Sequence, residues 1–390
     1  MSFIILGDTF TFPEGNAATN RVFANAKGFI ENGVNVHVIC FRNDYRKDQI
    51  GETEGIKYYH PFGQSKRTKN FIIRRWLKFY KYFKTLKLLK EINKNDRIIA
   101  INTWTQFLTC EIFTVFASRL LKTKSISEHS EHPLRNYQGS RMRIGYGEIR
   151  SFLATKLNDG IFCISQYLID FYTVRGIKRE KLFLVPSTVD STRFESSYDP
   201  PLNYPYILYC GALTLSKDGV DILIESFGRI SGKYPEINLV LLGKGDSAKD
   251  EKVLRDLTNL KRLNERVVFL GQVLRTEVPA FLTNASVLTL SRPTSIVADA
   301  GFPSKLTEYL ATGIPVVVTS VGEIPAYLKH RENAFLAKPD SAEAFAKELE
   351  YVLDNYEYAC NVGLKGKELT KTVFNYNFQA KRMIEFIRSL

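Results

Sequence analysis

The sequence of 390 residues lacks features that are typical of several protein classes. Its five cysteines form no Cys-x-x-Cys pair, which argues against a disulfide framework or a zinc site and fits a reducing compartment. No window reaches the roughly 18 uncharged apolar residues of a membrane span. The first residues show no basic segment followed by a long apolar run. We therefore expect a cytoplasmic protein without a signal peptide.

Acidic residues are scarce in one half of the chain. Residues 1–200 hold 31 Lys and Arg against 19 Asp and Glu, whereas residues 201–390 hold 23 and 22. Within the first half, residues 66–94 hold 11 basic residues against one Glu. This one segment explains most of the net charge of +13, and an excess of this kind indicates an anionic partner.

Short runs rich in Val and Ile alternate with longer stretches of helical periodicity. Strands that are apolar on both faces are typical of a parallel sheet covered by helices. A polar stretch near residues 195–204 separates two such series, which predicts two doubly wound domains, 1–198 and 199–371. A last amphipathic helix, within about 372–390, could pack back on the first domain. We expect strands at residues 3–6, 35–41, 97–101, 124–127, 160–164, 182–185, 206–210, 238–242, 267–270, 287–290 and 315–319.

The stretch PSKLTEYLATGIPVV places a cation and an anion on one face of a predicted helix, because Lys305 and Glu308 are three residues apart. Pro303 and Ser304 can open this helix, with Ser304 as its cap. The N–H groups of Ser304, Lys305 and Leu306 would then be free to bind phosphate oxygens. The carboxylate of Glu308 suits a vicinal diol such as a ribose. A nucleotide sugar carries both groups; the alternative is a surface ion pair worth a few tenths of a kcal/mol.

Two further loops follow predicted strands. Gly211 ends a strand in YCGALTLSKDGVDILIESF, and Lys217 begins the next helix. A Lys is slightly unfavourable at a helix start, which favours a functional interpretation over a solvated side chain. In PEGNAATNR, Gly15 and Asn16 precede a helix whose first N–H groups could hold an anion. The alternative there is an ordinary turn glycine.

His129, Glu131 and His132 follow a strand of the first domain in SISEHSEHPLRNY. In parallel α/β sheets, ligands bind beyond the carboxyl ends of the strands. These side chains are therefore candidate contacts for a ligand in a cleft between two facing domains. The alternative is a helix-capping or surface histidine.

Together these segments resemble the retaining GT-B glycosyltransferases of the large family four, over nearly the full chain. The matching segments are PEGNAATNRVFANAKGFIENGVNVHVI, DGIFCISQYLIDFY, KLFLVPSTVDSTRF, YILYCGALTLSKDGVDILIESF, LVLLGKGD, VVFLGQV and GFPSKLTEYLATGIPVVVTSVGEIPAYL. The resemblance implies a GT-B fold: two Rossmann-like domains that face each other across a cleft, the first binding the acceptor and the second the nucleotide-sugar donor.

The resemblance also implies roles for particular residues. In that family, the Lys at the place of Lys217 binds the donor diphosphate and the Glu at the place of Glu308 binds the ribose. The Gly at the place of Gly15 lets its loop approach the diphosphate. Residues at the places of Gln272 and Val273 line the base pocket. A residue after the strand of SISEHSEHPLRNY, often a His, contacts the donor sugar; we favour His129 and keep His132 open.

The sequence departs from the family at two positions. The family usually has a Glu eight residues before Glu308, but Ala300 stands there, with Asp299 one step off. An Arg often lies five residues before the phosphate Lys, at the position of Ala212. Lys305 could supply that second cation, since a Pro-Ser-Lys loop resembles a branch of the family without the first Glu. These departures leave the donor sugar open.

The sequence contains no Asp-x-Asp, the usual metal–diphosphate ligand pair of other glycosyltransferases. We therefore expect no metal and no other cofactor, with lysines and helix dipoles stabilising the leaving diphosphate. The implied mechanism is front-face transfer with retention, in which the departing phosphate oxygen takes the acceptor proton.

The basic segment predicts an amphipathic helix in KRTKNFIIRRWLKFYKYFKTLKLLK. We expect its apolar face to pack on the sheet and its basic face to favour an anionic membrane surface. No recognised nucleic-acid module appears, so nucleic acid is not expected as a partner. The apolar face comprises Ile72, Ile73, Trp76, Phe79, Tyr80 and Phe83; the basic face comprises Arg74, Arg75, Lys78 and Lys81, and we place Trp76 with these cations at the membrane.

The leading interpretation is a cytosolic, peripheral-membrane glycosyltransferase of the hexosyltransferase type. It would move a sugar from a nucleotide-sugar to a lipid-linked or membrane-proximal glycan in surface polysaccharide or glycoconjugate biosynthesis. One alternative is a GT-B nucleotide-sugar 2-epimerase, which Ala300 disfavours. Another is a catalytically silent, membrane-bound partner of a transferase, which Ala212 and Ala300 keep open.

Overall fold

The computed structural model describes residues 1–15, 17–42, 49–63, 68–134, 141–245 and 247–390. The chain forms two compact units. Unit 1 consists of Met1–Thr188 together with Tyr376–Leu390, and unit 2 consists of Val189–Asn375. The division falls after Thr188, ten residues before the boundary predicted after residue 198.

Unit 1 is built on an eight-stranded sheet with the order β3-β4-β2-β1-β5-β6-β7-β8. The chain order reverses between β1 and β5, so loops after these two strands diverge and leave the crevice in which doubly wound folds bind ligands. Its strands are β1 (Ser2–Gly7), β2 (Asn35–Cys40), β3 (Ile50–Thr53), β4 (Ile56–Tyr59), β5 (Ile98–Trp104), β6 (Lys124–His129), β7 (Gly160–Cys163) and β8 (Leu182–Leu184).

The hairpin of β3 and β4 is the part of this sheet that the sequence analysis missed. The two strands pair antiparallel at the sheet edge through a turn in which Glu54 and Gly55 both have positive φ, 51° and 76°. Each strand has only four residues and includes polar side chains. The pair therefore lacks the continuous apolar run by which the other strands were predicted. The remaining pairs of the sheet are parallel, as predicted.

Within the described ranges, six helices belong to unit 1, and the last one returns from the far end of the chain. Helix α15 packs along α1, where a Cβ at Gly28 would lie 2.6 Å from the carbonyl oxygen of Tyr376. Only glycine allows this approach. The helices are α1 (Ala17–Glu31), α2 (Phe71–Asn95), α3 (Leu108–Leu121), α4 (Arg141–Leu157), α5 (Gln166–Val174) and α15 (Tyr376–Ser389).

Helix α2 does not pack as the sequence analysis predicts. Its apolar face is exposed, with Ile72 at 76%, Trp76 at 58% and Phe79 at 69% of full exposure. The buried residues lie further along the helix, at Thr85, Leu89 and Ile92. The expectation that the face containing Trp76 packs on the sheet is therefore wrong.

Helices α3 and α4 have an inverted amphipathic pattern. The buried side of α3 is small or polar and includes Glu111, Thr114 and Ser118, while Ile112, Phe116 and Leu120 are exposed. In α4, the buried positions are Gly147, Arg150, Ser151, Ala154 and Thr155, while Met142, Tyr146, Ile149 and Phe152 are exposed. Both helices thus turn several large apolar side chains toward solvent, although Phe113 of α3 packs against the buried apolar cluster that contains Ile101.

Part of the buried side of these helices meets polar groups in the interior. Glu111 accepts hydrogen bonds from Ser127 Oγ at 2.8 Å and from Asn158 Nδ2 at 3.1 Å. Arg150 donates to the carbonyl oxygen of Thr105 at 2.6 Å. Because burial disfavours the carboxylate, the pKa of Glu111 is raised, although the two donors oppose the shift. A polar core of this kind explains why the apolar faces of α3 and α4 point outward.

Unit 2 is built on a six-stranded parallel sheet with the order β11-β10-β9-β12-β13-β14. Its chain order reverses between β9 and β12. The predicted strands are present, and the short β14 was missed. The strands are β9 (Tyr206–Cys210), β10 (Asn238–Leu242), β11 (Val267–Gly271), β12 (Val287–Leu290), β13 (Val316–Thr319) and β14 (Phe335–Ala337).

The helices of unit 2 bury apolar stripes in the ordinary way. Helix α7 buries Leu223, Phe227 and Ile230, and α13 buries Phe345 and Leu349. Across the described part of the chain, no helix combines the length and apolarity needed to cross a membrane. The helices are α6 (Leu215–Asp218), α7 (Val220–Ile230), α8 (Ala248–Leu260), α9 (Val278–Thr283), α10 (Ile296–Ala300), α11 (Ser304–Thr312), α12 (Ile324–Tyr327), α13 (Ala342–Asp354) and α14 (Tyr356–Lys371).

Candidate functional site

The candidate site of unit 2 lies where the strand order reverses. Gly211 follows β9 directly, and the half-buried Lys217 lies in the short helix α6 that comes next. Arg292 follows the neighbouring strand β12 and is almost fully buried. Helix α11, which carries Lys305 and Glu308, lies in the following connection to β13. The topology therefore brings these side chains to the carboxyl ends of β9 and β12.

Lys305 is the centre of a buried polar cluster. Its ammonium donates to Asp218 Oδ2 at 2.7 Å and to the hydroxyl of Tyr209 at 2.8 Å. A Cβ at Gly211 would lie 2.8 Å from Lys305 Cε, so a glycine is needed for the lysine to reach this position. Lys305 thus forms an ion pair with Asp218. Glu308, three residues further along the helix, forms an ion pair with a different residue.

Opposing effects set the charge of the cluster. Burial alone would raise the pKa of Asp218, but Lys305 and Arg292 outweigh burial and hold it below its usual value. Burial lowers the pKa of Lys305, while Asp218 opposes that shift; Lys217 and Arg292 lower it further. Three cations therefore lie around one carboxylate, which gives the cluster a net positive charge. Such a cluster can attract an anion such as a diphosphate.

Glu308 is held by Arg193, which stands in a 3-10 turn, Ser191–Phe194, at the start of unit 2. Arg193 Nη1 lies 3.0 Å from Glu308 Oε1, and both side chains are less than 20% exposed. Arg193 Nη2 also donates to the carbonyl oxygen of Arg275 at 3.2 Å. The guanidinium therefore fixes the orientation of the Glu308 carboxylate.

The start of α11 differs from the prediction in its capping. The helix opens where expected, but Pro303 occupies the N-cap position without a side-chain hydrogen bond, and Ser304 is the first helical residue. The prediction that Ser304 caps the helix is therefore wrong. The N–H of Leu306 donates to the carbonyl oxygen of Pro303 at 3.0 Å, so it is not free for a phosphate.

Tyr309 fastens this helix to the sheet. Its buried hydroxyl accepts from the N–H of Cys210 at 2.7 Å and donates to the carbonyl oxygen of Cys210 at 3.1 Å. Cys210 is the last residue of β9. Lys305 and Glu308 are therefore presented by a helix that is hydrogen-bonded to the strand before Gly211.

The remaining predicted donor contacts of unit 2 lie in the loop after β11. Gln272 is exposed and Val273 is half-buried, immediately after Gly271, which has a φ of 76°.

The two positions at which the sequence departs from the family differ in exposure. Ala212 is exposed, whereas Ala300 is completely buried at the end of α10.

Gly15 lies in the loop after β1 of unit 1, just before α1. A Cβ on this residue would collide with the hydroxyls of Thr11 and Thr19. Thr19 Oγ1 donates to the carbonyl oxygen of Thr11 at 2.6 Å, which closes the loop around the glycine. The predicted contact Asn16 lies outside the described residues.

His129 ends β6 and is engaged inside unit 1. Its Nε2 lies 3.0 Å from Ser127 Oγ, and its Nδ1 is hydrogen-bonded to the hydroxyl of Tyr172. Burial lowers the pKa of His129 to about 3, with Arg150 adding to the shift, so the ring is neutral. A contact between this ring and a donor sugar requires one of its hydrogen bonds to break.

His132 lies three residues further on, against α5. Its ring packs edge-on against Phe171 with ring centroids 5.0 Å apart, and its Nδ1 accepts from the N–H of Leu134 at 3.2 Å. Burial lowers its pKa, and Arg175 lowers it further. Glu131, between the two histidines, is half-buried.

The basic residues predicted at the membrane fall into two groups. Arg75 and Lys78 are exposed on α2, beside Trp76. Arg74 is half-buried, and Lys81 turns toward the protein, where its ammonium lies 4.5 Å from the centre of the Phe41 ring. Burial lowers the pKa of Lys81, with a nearby Lys adding to the shift and Asp8 opposing it.

Sequence reasoning missed several residues of the unit 2 site. Asp218 follows Lys217 directly in SKDG, so its adjacency to a candidate cation was an available signal. Arg193 and Tyr209 carried no such signal, because their roles depend on pairing with a helix far along the chain. The positive φ of Gly219, 63°, with a Cβ that would meet the carbonyl oxygen of Ser291, explains the glycine in the same stretch.

A family model described as "Glycosyl transferases group 1" matches residues 190–369, which lie in unit 2. Unit 2 therefore contains a glycosyl transferases group 1 domain.

Three known proteins show how far the likeness extends. The chain is 22% identical to a subunit of human phosphatidylinositol N-acetylglucosaminyltransferase over 361 residues, covering 89% of the chain and 67% of that protein. The structure is similar to a sucrose-phosphate synthase from Thermosynechococcus elongatus, with a TM-score of 0.74, 17% identity and coverage of 100% and 98%. It is also similar to Anabaena Alr3699/HepE in complex with UDP-glucose, with a TM-score of 0.75, 16% identity and full coverage of both chains.

These likenesses confirm the predicted fold class. The chain has the GT-B fold, with two Rossmann-like units built on parallel sheets. At identities below 20%, the solved structures establish the fold and leave the roles of individual residues as predictions.

Proposed function

Starting from the glycosyl transferases group 1 domain of unit 2, we propose that the protein is a retaining, metal-independent glycosyltransferase. It transfers a hexose-type sugar from a nucleotide-sugar donor to a lipid-linked or membrane-proximal glycan. Such a reaction belongs to surface polysaccharide or glycoconjugate biosynthesis. The protein acts in the cytoplasm, attached to the membrane surface.

The observation that supports this proposal best is the arrangement of charges at the carboxyl ends of β9 and β12. Lys217, Lys305 and Arg292 around Asp218 leave a net positive charge that suits a diphosphate. Glu308, oriented by Arg193, offers a carboxylate to the two hydroxyls of a ribose. The positively charged cluster therefore suits the diphosphate of a nucleoside diphosphate, and the Glu308 carboxylate suits the two hydroxyls of its ribose.

The proposed chemistry needs few groups from the protein. Lys217 stabilises the negative charge that develops on the leaving diphosphate, a role that preorganised cations perform without a metal. Arg292, which follows β12, contributes a positive charge. This charge compensates for Ala212, which stands where the family often has an Arg. The bond between the sugar carbon and the diphosphate breaks, the acceptor oxygen bonds to the same face of that carbon, and the leaving phosphate oxygen takes the acceptor proton.

A membrane acceptor is supported by the exposed face of α2. Ile72, Trp76 and Phe79 are apolar and exposed, and Arg75 and Lys78 stand beside them. A basic helix with exposed aromatic side chains suits an anionic bilayer surface. The human relative is named for phosphatidylinositol, which is itself a membrane lipid.

Donor binding and turnover test the proposal directly. UDP, GDP, ADP and their glucose conjugates are added to the purified chain in EDTA, and the melting temperature and the release of nucleoside diphosphate are measured. We expect one nucleotide series to raise the melting temperature. Lys217→Ala should lower turnover about 100-fold, because it removes a stabilising charge from the transition state; Glu308→Gln should mainly raise the KM for the donor.

A matched control is Lys252→Ala, which removes an exposed lysine from α8 of the same unit. Equal turnover of the Lys217 and Lys252 variants would contradict the site assignment. Binding of nucleotides without release of nucleoside diphosphate, with or without acceptor, would favour the silent partner that Ala212 and Ala300 suggest. Conversion of the donor to its 2-epimer would favour the epimerase.

A further inference from the structure

Unit 1 contains a cavity of about 360 Å³ between α4 and the segment from α5 to β8. Its lining includes four apolar side chains, Ile149, Phe152, Leu153 and Ile177. This volume and this apolar lining are typical of sites that hold small organic ligands. The residues of the unit 2 site do not contribute to it.

The cavity reaches the surface through α4. Ile149 and Phe152 line the cavity and are nonetheless 60% and 50% exposed. They belong to the apolar face of α4, and α3, which packs beside α4, exposes Phe116 and Leu120 in the same inverted manner. Exposed apolar side chains therefore lead from this surface to the cavity.

Two cations stand at the rim. Arg175 lines the cavity, is 40% exposed and pairs with Glu148 at 3.4 Å. Lys156 is exposed, and its ammonium lies 5.5 Å from the centre of the Phe152 ring. Together they outweigh the carboxylate of Glu148, so the rim has an excess of positive charge. An occupant with an apolar chain and an anionic head group complements both the lining and the rim.

The cavity also adjoins the candidate residues after β6. Tyr172 lines the cavity and its hydroxyl is hydrogen-bonded to His129. The guanidinium of Arg175 lies 3.5 Å from the centre of the Phe171 ring, which packs against His132. A molecule held here would therefore have its head group close to the carboxyl end of β6.

We propose that this cavity binds the apolar chain of an anionic amphiphile, with Arg175 and Lys156 facing its head group. This inference rests on the proposed function and specifies its acceptor as a lipid phosphate or lipid diphosphate whose chain enters unit 1 between α4 and α5. The exposed apolar faces of α3 and α4 then lie in the lipid surface from which that chain comes.

Binding of dodecyl phosphate, below its micelle concentration, tests the site on the full-length chain by calorimetry. Leu153→Trp fills the cavity, and we expect it to weaken binding about tenfold or more because several methylene groups lose their apolar contacts. Phe116→Ser removes an exposed apolar ring that does not line the cavity, and should leave dodecyl phosphate binding unchanged. Arg175→Gln should weaken binding of dodecyl phosphate several-fold and leave binding of dodecanol unchanged.

A second measurement does not depend on any variant. A dodecyl phosphate with a terminal diazirine is photolysed on the wild-type protein, and the labelled residues are identified by mass spectrometry. Labels on the peptides that contain Leu153 and Ile177 are expected. Labels confined to other regions, or equal binding by wild type and Leu153→Trp, would overturn the proposal.

Two outcomes separate this inference from the proposed function. If nucleotides bind as proposed but dodecyl phosphate does not label the cavity, the cavity inference fails and the transferase proposal stands. If the chain is a dimer that Phe116→Ser converts to monomers, and vesicles do not bind it, the apolar face is an interface between two copies and the lipid interpretation is wrong.

Discussion

Helices α3 and α4 of unit 1 present the opposite face to solvent from α7 and α13 of unit 2, whereas α1 and α15 of unit 1 bury apolar residues such as Phe29 and Met383. In unit 2, α7 and α13 bury their apolar stripes, which include Phe227 and Leu349. In unit 1, α3 and α4 bury polar and small residues and expose Ile112, Phe116 and Ile149. The same fold therefore carries helices with reversed patterns, and the reversal is found on the unit whose sequence is basic.

The physical reason for the reversal lies beneath the helices. An amphipathic helix turns toward whatever complements it, and the interior of unit 1 offers hydrogen-bond partners to Glu111 and Arg150. The outer apolar surface remains exposed at a cost in water. A membrane would remove that cost, which makes the pattern informative about function. Matched substitutions in the two units therefore test this difference.

The largest difference is expected from removing an aromatic ring. Phe227→Ala deletes a buried ring of α7 and should lower the free energy of unfolding by about 3–5 kcal/mol. Phe116→Ala deletes a ring that is 56% exposed on α3 and should change it by less than about 0.5 kcal/mol. Urea unfolding of both variants measures the difference. Equal losses would mean that Phe116 is covered in solution, and the contrast between the units would fail.

A smaller difference is expected for membrane binding. Arg75→Gln together with Lys78→Gln removes two exposed cations from α2, and each contributes at most about 1 kcal/mol near an anionic surface. We therefore expect binding to vesicles that contain phosphatidylglycerol to weaken by up to about 30-fold, with a reduced dependence on salt.

The matched control removes two exposed cations from unit 2, Arg229 on α7 and Lys252 on α8. Because these helices expose no aromatic side chain, and Val253 and Leu260 are their only large exposed apolar residues, vesicle binding should be nearly unchanged. A similar loss in both double variants would show that net charge alone drives the binding, and the face of α2 would have no special role.

Much of this architecture can be predicted from the sequence, but the orientation of the helices cannot. The periodicity of α2 predicts an apolar and a basic face, but in the structure Arg75 and Lys78 are exposed beside Trp76 whereas Lys81 turns toward the protein. The periodicity cannot say which side chains meet the protein, because that depends on the interior that the sheet provides. Short elements such as β3 and β14 carry too few residues for a pattern. Within the site, Lys305 and Glu308 were found, whereas their partners Asp218 and Arg193 depend on tertiary contacts.

The buried polar group beneath α3 and α4 should respond to acid. Burial lowers the pKa of His129 to about 3 in the folded state, against about 6.5 in an unfolded chain. Between these values the unfolded chain binds the proton, so stability falls as the pH drops below about 6, by about 1.4 kcal/mol per pH unit from this residue. Unfolding midpoints in urea from pH 7 to about pH 4 measure the slope.

The variant His129→Asn separates the effect of this proton from that of Glu111. Burial raises the pKa of Glu111, whereas it lowers that of His129. We expect the stability of the variant to depend less steeply on pH than that of the wild type. The matched substitution in unit 2 is His330→Asn, at an exposed position. A wild-type slope in the His129 variant would show that this ring binds a proton as readily in the folded protein as in the unfolded chain.

The smallest difference concerns two helix caps of similar geometry. Asn70 Oδ1 accepts from the N–H of Ile72 at 2.9 Å at the start of α2, and Ser341 Oγ accepts from the N–H of Ala344 at 3.1 Å at the start of α13. Replacing either by Ala should cost its helix about 1 kcal/mol. In α13 the first turns include the buried Phe345, so the loss should appear in global unfolding.

In α2 the first turns are exposed, so Asn70→Ala should leave global unfolding nearly unchanged. Faster hydrogen exchange in the first turns of α2 should report the loss instead, together with weaker vesicle binding, because the lipid must then order the helix that it binds. Equal global losses from the two caps would mean that the first turns of α2 are as firmly packed as those of α13. The exposed face of α2 would then belong to the folded scaffold, and the membrane would have no part in ordering it.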